Sequence, residues 1–163
     1  MNLVGEAAGW AGGILIVAAF WTPSDRRLNH LLAAGLFLMC AHLAGLGAFT
    51  AAVAALCGAA RCAATLRWPG SAAAALVPSV AMAILAWPTW TGAASMLALA
   101  GAMGTNLVLA TQSGRMARLM MLPVNAVWLL HHAMADSFPA LATELCCAAG
   151  NCWTASRKAP AAG

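Results

Sequence analysis

Val124 to Asn151, VNAVWLLHHAMADSFPALATELCCAAGN, is the stretch on which the reading of this chain turns. It sets two amides, an indole, two imidazoles and two carboxylates into sequence otherwise apolar enough to cross a bilayer. Asn125, Trp128 and His132 fall at i, i+3 and i+7 and so share one helical face. Glu144 and Asn151, seven residues apart, share another. Both faces are expected to look inward, because a carboxylate inside a bilayer is costly and marks a functional site with partners close by. The bland reading places Glu144 five residues past Pro139, roughly 8 Å below the helix start, where it could cap a neighbour or reach headgroups.

The rest of the chain explains why these residues stand out. Of 163 residues, 63% are hydrophobic and 7% charged, with a mean hydropathy of +0.84, which excludes a soluble domain of this length. The apolar runs are long and do not alternate, so they read as membrane helices rather than barrel strands. Abundant Ala and Gly allow those helices to pack closely. The net charge of +4 does not point to nucleic acid, since the basic residues sit at segment ends and form no patch. The first apolar segment has no positive leader and is read as a retained helix. Cys40, Cys57, Cys62, Cys146, Cys147 and Cys152 all fall in apolar runs without a CxxC, and read as small packing residues.

Seven spans follow: Leu3 to Trp21, Leu28 to Leu46, Ala48 to Leu66, Ala72 to Trp87, Ala93 to Thr111, Met116 to Ala135 and Pro139 to Ser156. The junctions TPSD (Thr22 to Asp25), RWPGS (Arg67 to Ser71), PTWTG (Pro88 to Gly92), QSGR (Gln112 to Arg115) and DSFP (Asp136 to Pro139) punctuate them. The Leu46 to Phe49 turn has only Gly45 and Gly47 to mark it, so helices two and three could instead be one bent element. Arg26, Arg27, Arg67, Arg115, Arg118, Arg157 and Lys158 follow alternate spans, and the opposite loops carry no Lys or Arg. That asymmetry predicts the N-terminus outside and the C-terminus in the cytoplasm. Trp21, Trp68, Trp87 and Trp90 read as interfacial anchors, whereas Trp10, Trp128 and Trp153 lie deeper and are candidates to line a pore.

A shift of ninety residues brings His42 onto His132, Cys57 onto Cys147, Cys62 onto Cys152, Arg67 onto Arg157 and Arg61 onto Asn151. Helices two and three then lie on helices six and seven, helix one answers helix five after a small length change, and helix four is left over. The expected architecture is an all-α polytopic membrane protein of seven transmembrane helices. They form two parallel three-helix repeats, 1–67 and 92–158, joined by a linker helix in 68–91 and followed by a tail, 159–163. Repeats of this kind commonly enclose a solute path.

Arg61 is read as the one arginine inside a span, roughly 9 Å from the cytoplasmic end, either facing a cavity or snorkelling to the interface. In the repeat frame it faces Asn151, a forked donor opposite an amide, suited to an anionic or hydroxyl-bearing solute. Trp128, Asn125 and Asn106 complete the expected binding layer. His42, His131, His132 and Glu144 are expected to form a proton-sensitive outer gate near Glu6 and Asp136, their rival role being hydrogen bonds across helix interfaces. His131 and His132 are adjacent and point about 100° apart, and no HExxH or Cys/His spacing supports a metal. Pro123 frees a backbone carbonyl at mid-depth beside a cavity or hinge, while Pro78 is read as a packing kink.

His42 with Arg61 nineteen residues on, then Trp128, His131, Ser137, Glu144, Asn151 and Arg157, resemble the bacterial YgjV inner-membrane family over most of the chain. That family has His-Asn where this chain has His131 and His132, and Gly-Ser where it has Asp136 and Ser137. The resemblance implies a multi-pass protein of the bacterial inner membrane and names no substrate. The three-plus-one-plus-three plan is also similar to SWEET sugar transporters and the PQ-loop group, whose sugar sites use an Asn on the third helix of each repeat. Here only Asn151 matches, its partner being Arg61, and the PQ dipeptide is absent. The expected function is a small-solute transporter with a central polar site, without cofactor or metal, its partners the lipid bilayer and a small polar or anionic solute. The alternative is a membrane receptor or accessory protein using the same cavity to sense or to pack. An enzyme is not expected, because no nucleophile and base stand at a recognisable spacing; whether copies associate is left open.

Overall fold

The computed structural model describes residues 3–22, 24–68, 71–112 and 114–156. Pro23, Pro69, Gly70 and Ser113 of the predicted junctions, Arg157 and Lys158, and the tail 159–163 lie outside the described residues. The chain is all-helical: α1 (Leu3–Trp21), α2 (Asp25–Gly45), α3 (Phe49–Arg67), α4 (Ala72–Ala86), a 3-10 turn (Trp87–Thr89), α5 (Ala93–Thr111), α6 (Gly114–Met134) and α7 (Phe138–Ser156). α1 and α5 have the predicted bounds. α2 begins three residues earlier than expected because Ser24 caps it, its Oγ accepting from the Arg27 amide at 3.4 Å.

The weakly marked turn does separate α2 from α3. Gly47, at φ +76°, takes the left-handed conformation that breaks the helix without steric cost. The α6–α7 turn is built the same way, with Asp136 at φ +49° in the corresponding place. The Leu46 amide donates to the His42 carbonyl and Ala48 to Leu43; Ala135 donates to His131 and Ser137 to His132. From Leu46 to Ala135 and from Ala48 to Ser137 the separation is eighty-nine residues, not the ninety that best aligns residue identities. The geometric counterpart of His42 is therefore His131, not His132. The ninety-residue register matches residue types alone, whereas the backbone bonds of both turns fix the spatial one.

Six helices close a ring in the order α1, α2, α3, α5, α6, α7 and back to α1, while α4 packs on α3 and α5. The α1–α2 crossing is tight because neither Gly12 nor Gly35 has a side chain. A Cβ on either would stand 2.8 Å from the other's carbonyl oxygen. The polarity of the molecule is inverted relative to a water-soluble domain. Ile14, Phe37, Leu56, Ile84, Leu107 and Leu145 are exposed, whereas His42, Arg61, Asn106, Asn125, His131, Glu144 and Asn151 are buried. That is the distribution a bilayer selects. α1, α2, α3 and α4 with its 3-10 extension are each long and apolar enough to cross a membrane, and α5 holds a shorter apolar run, Ala93–Leu109. α6 and α7 match them in length, with 21 and 19 residues, and are diluted by the polar groups of the opening stretch.

Candidate functional site

The ring encloses a cavity of about 80 Å³, to which all six of its helices contribute and α4 does not. That is room for about five waters or a solute with a similar number of heavy atoms. Helical periodicity puts Met121, Asn125, Trp128 and His132 of α6 on its wall, with Ala140, Thr143 and Glu144 of α7 beside them. α3 supplies Ala54, Ala55, Gly58 and Arg61.

A single chain of hydrogen bonds organises the polar wall. Asn125 Nδ2 donates to Glu144 Oε1 in a short contact. Asn125 Oδ1 accepts from Asn151 Nδ2 at 2.9 Å, and Asn151 Oδ1 accepts from Arg118 Nη1 at 3.5 Å. The two ends dictate both amide orientations, since a guanidinium only donates and a carboxylate only accepts. Each link then points the same way, from cation to anion, and polarises the next. Arg118 is further held over the Phe20 ring, 5.7 Å from its centroid. The expectation that Glu144 has partners nearby is met; the snorkelling alternative is not, because the residue is only 9% exposed.

Asn151 stands elsewhere than expected. It is fully buried behind Asn125, does not line the cavity, and spends its amide on Asn125 and Arg118 rather than facing Arg61. The eighty-nine-residue register explains the difference, because it sets Arg61 against Gly150. Arg61 does not snorkel either. At 3% exposure it lines the cavity, its Nη2 donates to Cys62 Sγ at 3.2 Å, and its Nε has no partner. A thiol sulfur is a weak acceptor, so this buried cation is left largely uncompensated.

The four gate candidates divide. His42 is fully buried away from the cavity and ties three elements together: Nδ1 contacts the Gly5 carbonyl at 2.9 Å and Nε2 the Ser137 hydroxyl at 2.8 Å. A carbonyl only accepts, so Nδ1 carries the proton, and in the neutral ring Nε2 accepts from Ser137. His131 makes the counterpart bond from Nδ1 to the Ala94 carbonyl at 2.9 Å, but its Nε2 has no partner. Both make the hydrogen bonds across helix interfaces that were the rival expectation, and neither lines the cavity. Of the three histidines, only His132 lines the cavity. It stacks on Trp128 with centroids 5.3 Å apart and an unpartnered Nδ1. Glu6 is half-buried and Asp136 exposed, and neither reaches the cavity.

Trp128 is the one deep tryptophan on the cavity wall, its indole donating to Thr105 Oγ1 at 3.2 Å. Trp10 and Trp153 are instead 44% and 51% exposed on the outer surface: α1 is apolar on nearly every face and sets no rotation for Trp10, while Trp153, nine residues past Glu144, falls on the side of α7 opposite that carboxylate. Asn106 lines the cavity while donating to Ser79 Oγ of α4 at 2.9 Å, so α4 braces the site from outside. Sequence reasoning left Arg118 among the loop cations. The missed signal is its position seven residues before Asn125, the spacing that also puts Asn125 and His132 on one face. Among the described residues no group of three His, Cys, Asp or Glu is gathered as a metal site.

No curated protein matches the chain, and no solved structure matches it. A family described as a bacterial inner membrane protein, Imp-YgjV, matches over residues 3–161. That match covers the whole helical ring with its cavity, and the chain accordingly belongs to the Imp-YgjV family of multi-pass bacterial inner membrane proteins.

Proposed function

We propose that this protein is a small-solute transporter whose substrate site is the cavity inside the six-helix ring. The observation that carries the reading is a buried guanidinium and a buried carboxylate on the wall of one small cavity, with no ion pair between them. Intramembrane ionisable groups facing a hollow mark substrate or ion paths, whereas a merely structural pair is mutually satisfied.

In this reading α1–α3 and α5–α7 are parallel repeats that rock against each other, with α4 as the linker and all seven helices crossing the bilayer. Three features support it. The ring is closed by α3 on α5 and by α1 on α7, pairs that a two-fold relation would exchange. The two turns and the His42 and His131 bonds recur at one separation. The exposed Arg26, Arg27, Arg67 and Arg115 gather at one end of the bundle, which favours that end in the cytoplasm and the N-terminus outside.

Reconstitution in liposomes with a panel of labelled small solutes tests the proposal, comparing wild type with Arg61→Ala and Asn151→Ala. Losing a charge-assisted contact of about 1.5–3 kcal/mol lowers uptake by roughly ten- to a hundredfold in Arg61→Ala. Equal flux in all three proteins, at the level of empty liposomes, refutes transport. Ligand-dependent stabilisation without flux would instead mark a sensor.

A further inference from the structure

We propose that the cavity takes a short zwitterionic solute, an amino acid whose carboxylate sits on Arg61 and whose ammonium sits on Glu144. This deepens the transporter reading and rests on its assignment of the cavity as the solute site. Arg61 is 97% buried, its Nε is unpartnered, and its one side-chain partner among the described residues is a thiol. Across the same hollow Glu144 has one oxygen fixed by Asn125, while Oε2 has no partner among the described residues. A guanidinium and a carboxylate that share a cavity without pairing are each still short of a counter-charge.

Their spacing says what can fill it. α3 and α7 both run away from equivalent turns; Arg61 lies twelve residues beyond Phe49 and Glu144 six beyond Phe138. The six-residue difference is roughly 9 Å along the bundle. Side chains on both helices lean toward the helix start, so only the greater length of the arginine arm narrows the gap. Leu36, Met39, Ala54, Ala55 and Gly58 give the rest of this wall an apolar surface suited to methylene groups. A simple anion on Arg61 would face the open oxygen of Glu144, and a simple cation on Glu144 would face Arg61. A solute carrying both charges satisfies both groups at once, and about 80 Å³ limits it to a few carbons.

Thermal unfolding of the purified full chain in detergent tests this, with glycine, β-alanine and γ-aminobutyrate as zwitterionic probes and acetate and methylammonium as single-charge probes at matched ionic strength. At least one zwitterion is expected to raise the melting temperature, with a preferred chain length that reads the gap between the two charges, while neither single-charge probe does. Glu144→Gln should weaken zwitterion binding by at least about tenfold and allow acetate to stabilise; Arg61→Gln should do the reverse and admit methylammonium. The proposal fails if acetate stabilises wild type as well as the zwitterions do, if both variants keep the wild-type response, or if no probe stabilises the protein. Should either variant fail to fold, the five probes on wild type still decide. Zwitterion binding without flux refutes transport and leaves this assignment standing. Flux of another solute class without zwitterion binding does the opposite.

Discussion

Two halves of one wall, α1–α3 and α5–α7, face each other across the cavity and are opposite in chemistry. At positions eighty-nine residues apart, Ile16 answers Thr105, Leu36 answers Asn125, Met39 answers Trp128, Leu43 answers His132, Ala54 answers Thr143 and Ala55 answers Glu144. All twelve line the cavity. α1–α3 therefore offer a smooth apolar surface, and α5–α7 hold nearly every group able to recognise a solute. Arg61 is the exception, a lone cation on the greasy side. On the proposed repeat plan, one backbone arrangement used twice would fix where the wall stands and leave its chemistry free to differ.

The strongest way to break that contrast is to import a residue across it. Asn125→Leu places the counterpart residue in the polar half and strips partners from both Glu144 and Asn151. Breaking a buried charged network by removing one member should cost about 3 kcal/mol, read as a lower melting temperature in detergent. Little or no loss would mean that the amide chain is not a structural unit.

The paired histidines sharpen the comparison at a smaller scale. His42→Phe removes two ring contacts and His131→Phe one. With bonds inside membrane bundles worth roughly 0.6 kcal/mol on average, the first should cost about 1.2 kcal/mol and the second about half as much in unfolding measurements. Equal losses would remove the distinction between the two halves. The smallest effect belongs to the turns. Asp136→Gly relieves a non-glycine residue at φ +49° and, offset by the glycine's extra freedom when unfolded, should stabilise by about 0.5 kcal/mol, whereas Gly47→Ala should destabilise by a similar amount in the same unfolding assay.

The helices were legible in the sequence because apolar length and Pro/Gly punctuation are one-dimensional properties. α1, α5 and, to within one residue, α7 follow from them directly. The inward faces of α6 and α7 were legible because Asn125, His132 and Glu144 are scarce residues at helical spacing in a greasy background. Which face meets which was not. Asn151 on Asn125 rather than Arg61, and Arg118 reaching inward, depend on helix rotation and on a spatial register one residue away from the one that residue identities suggest. Trp10 shows the same gap, since a helix apolar nearly all round carries no phase to say which side turns inward.

The run from Arg118 through Asn151 and Asn125 to Glu144 also separates two kinds of communication. Carboxamides carry an electrostatic influence along their dipoles but hand on no hydrogen ion, because neither the nitrogen nor the oxygen of an amide readily exchanges one in passing. Glu144 is thus held in register with a distant positive group while being insulated from it as an acid. Any change in its ionisation must be negotiated with whatever occupies the hollow itself.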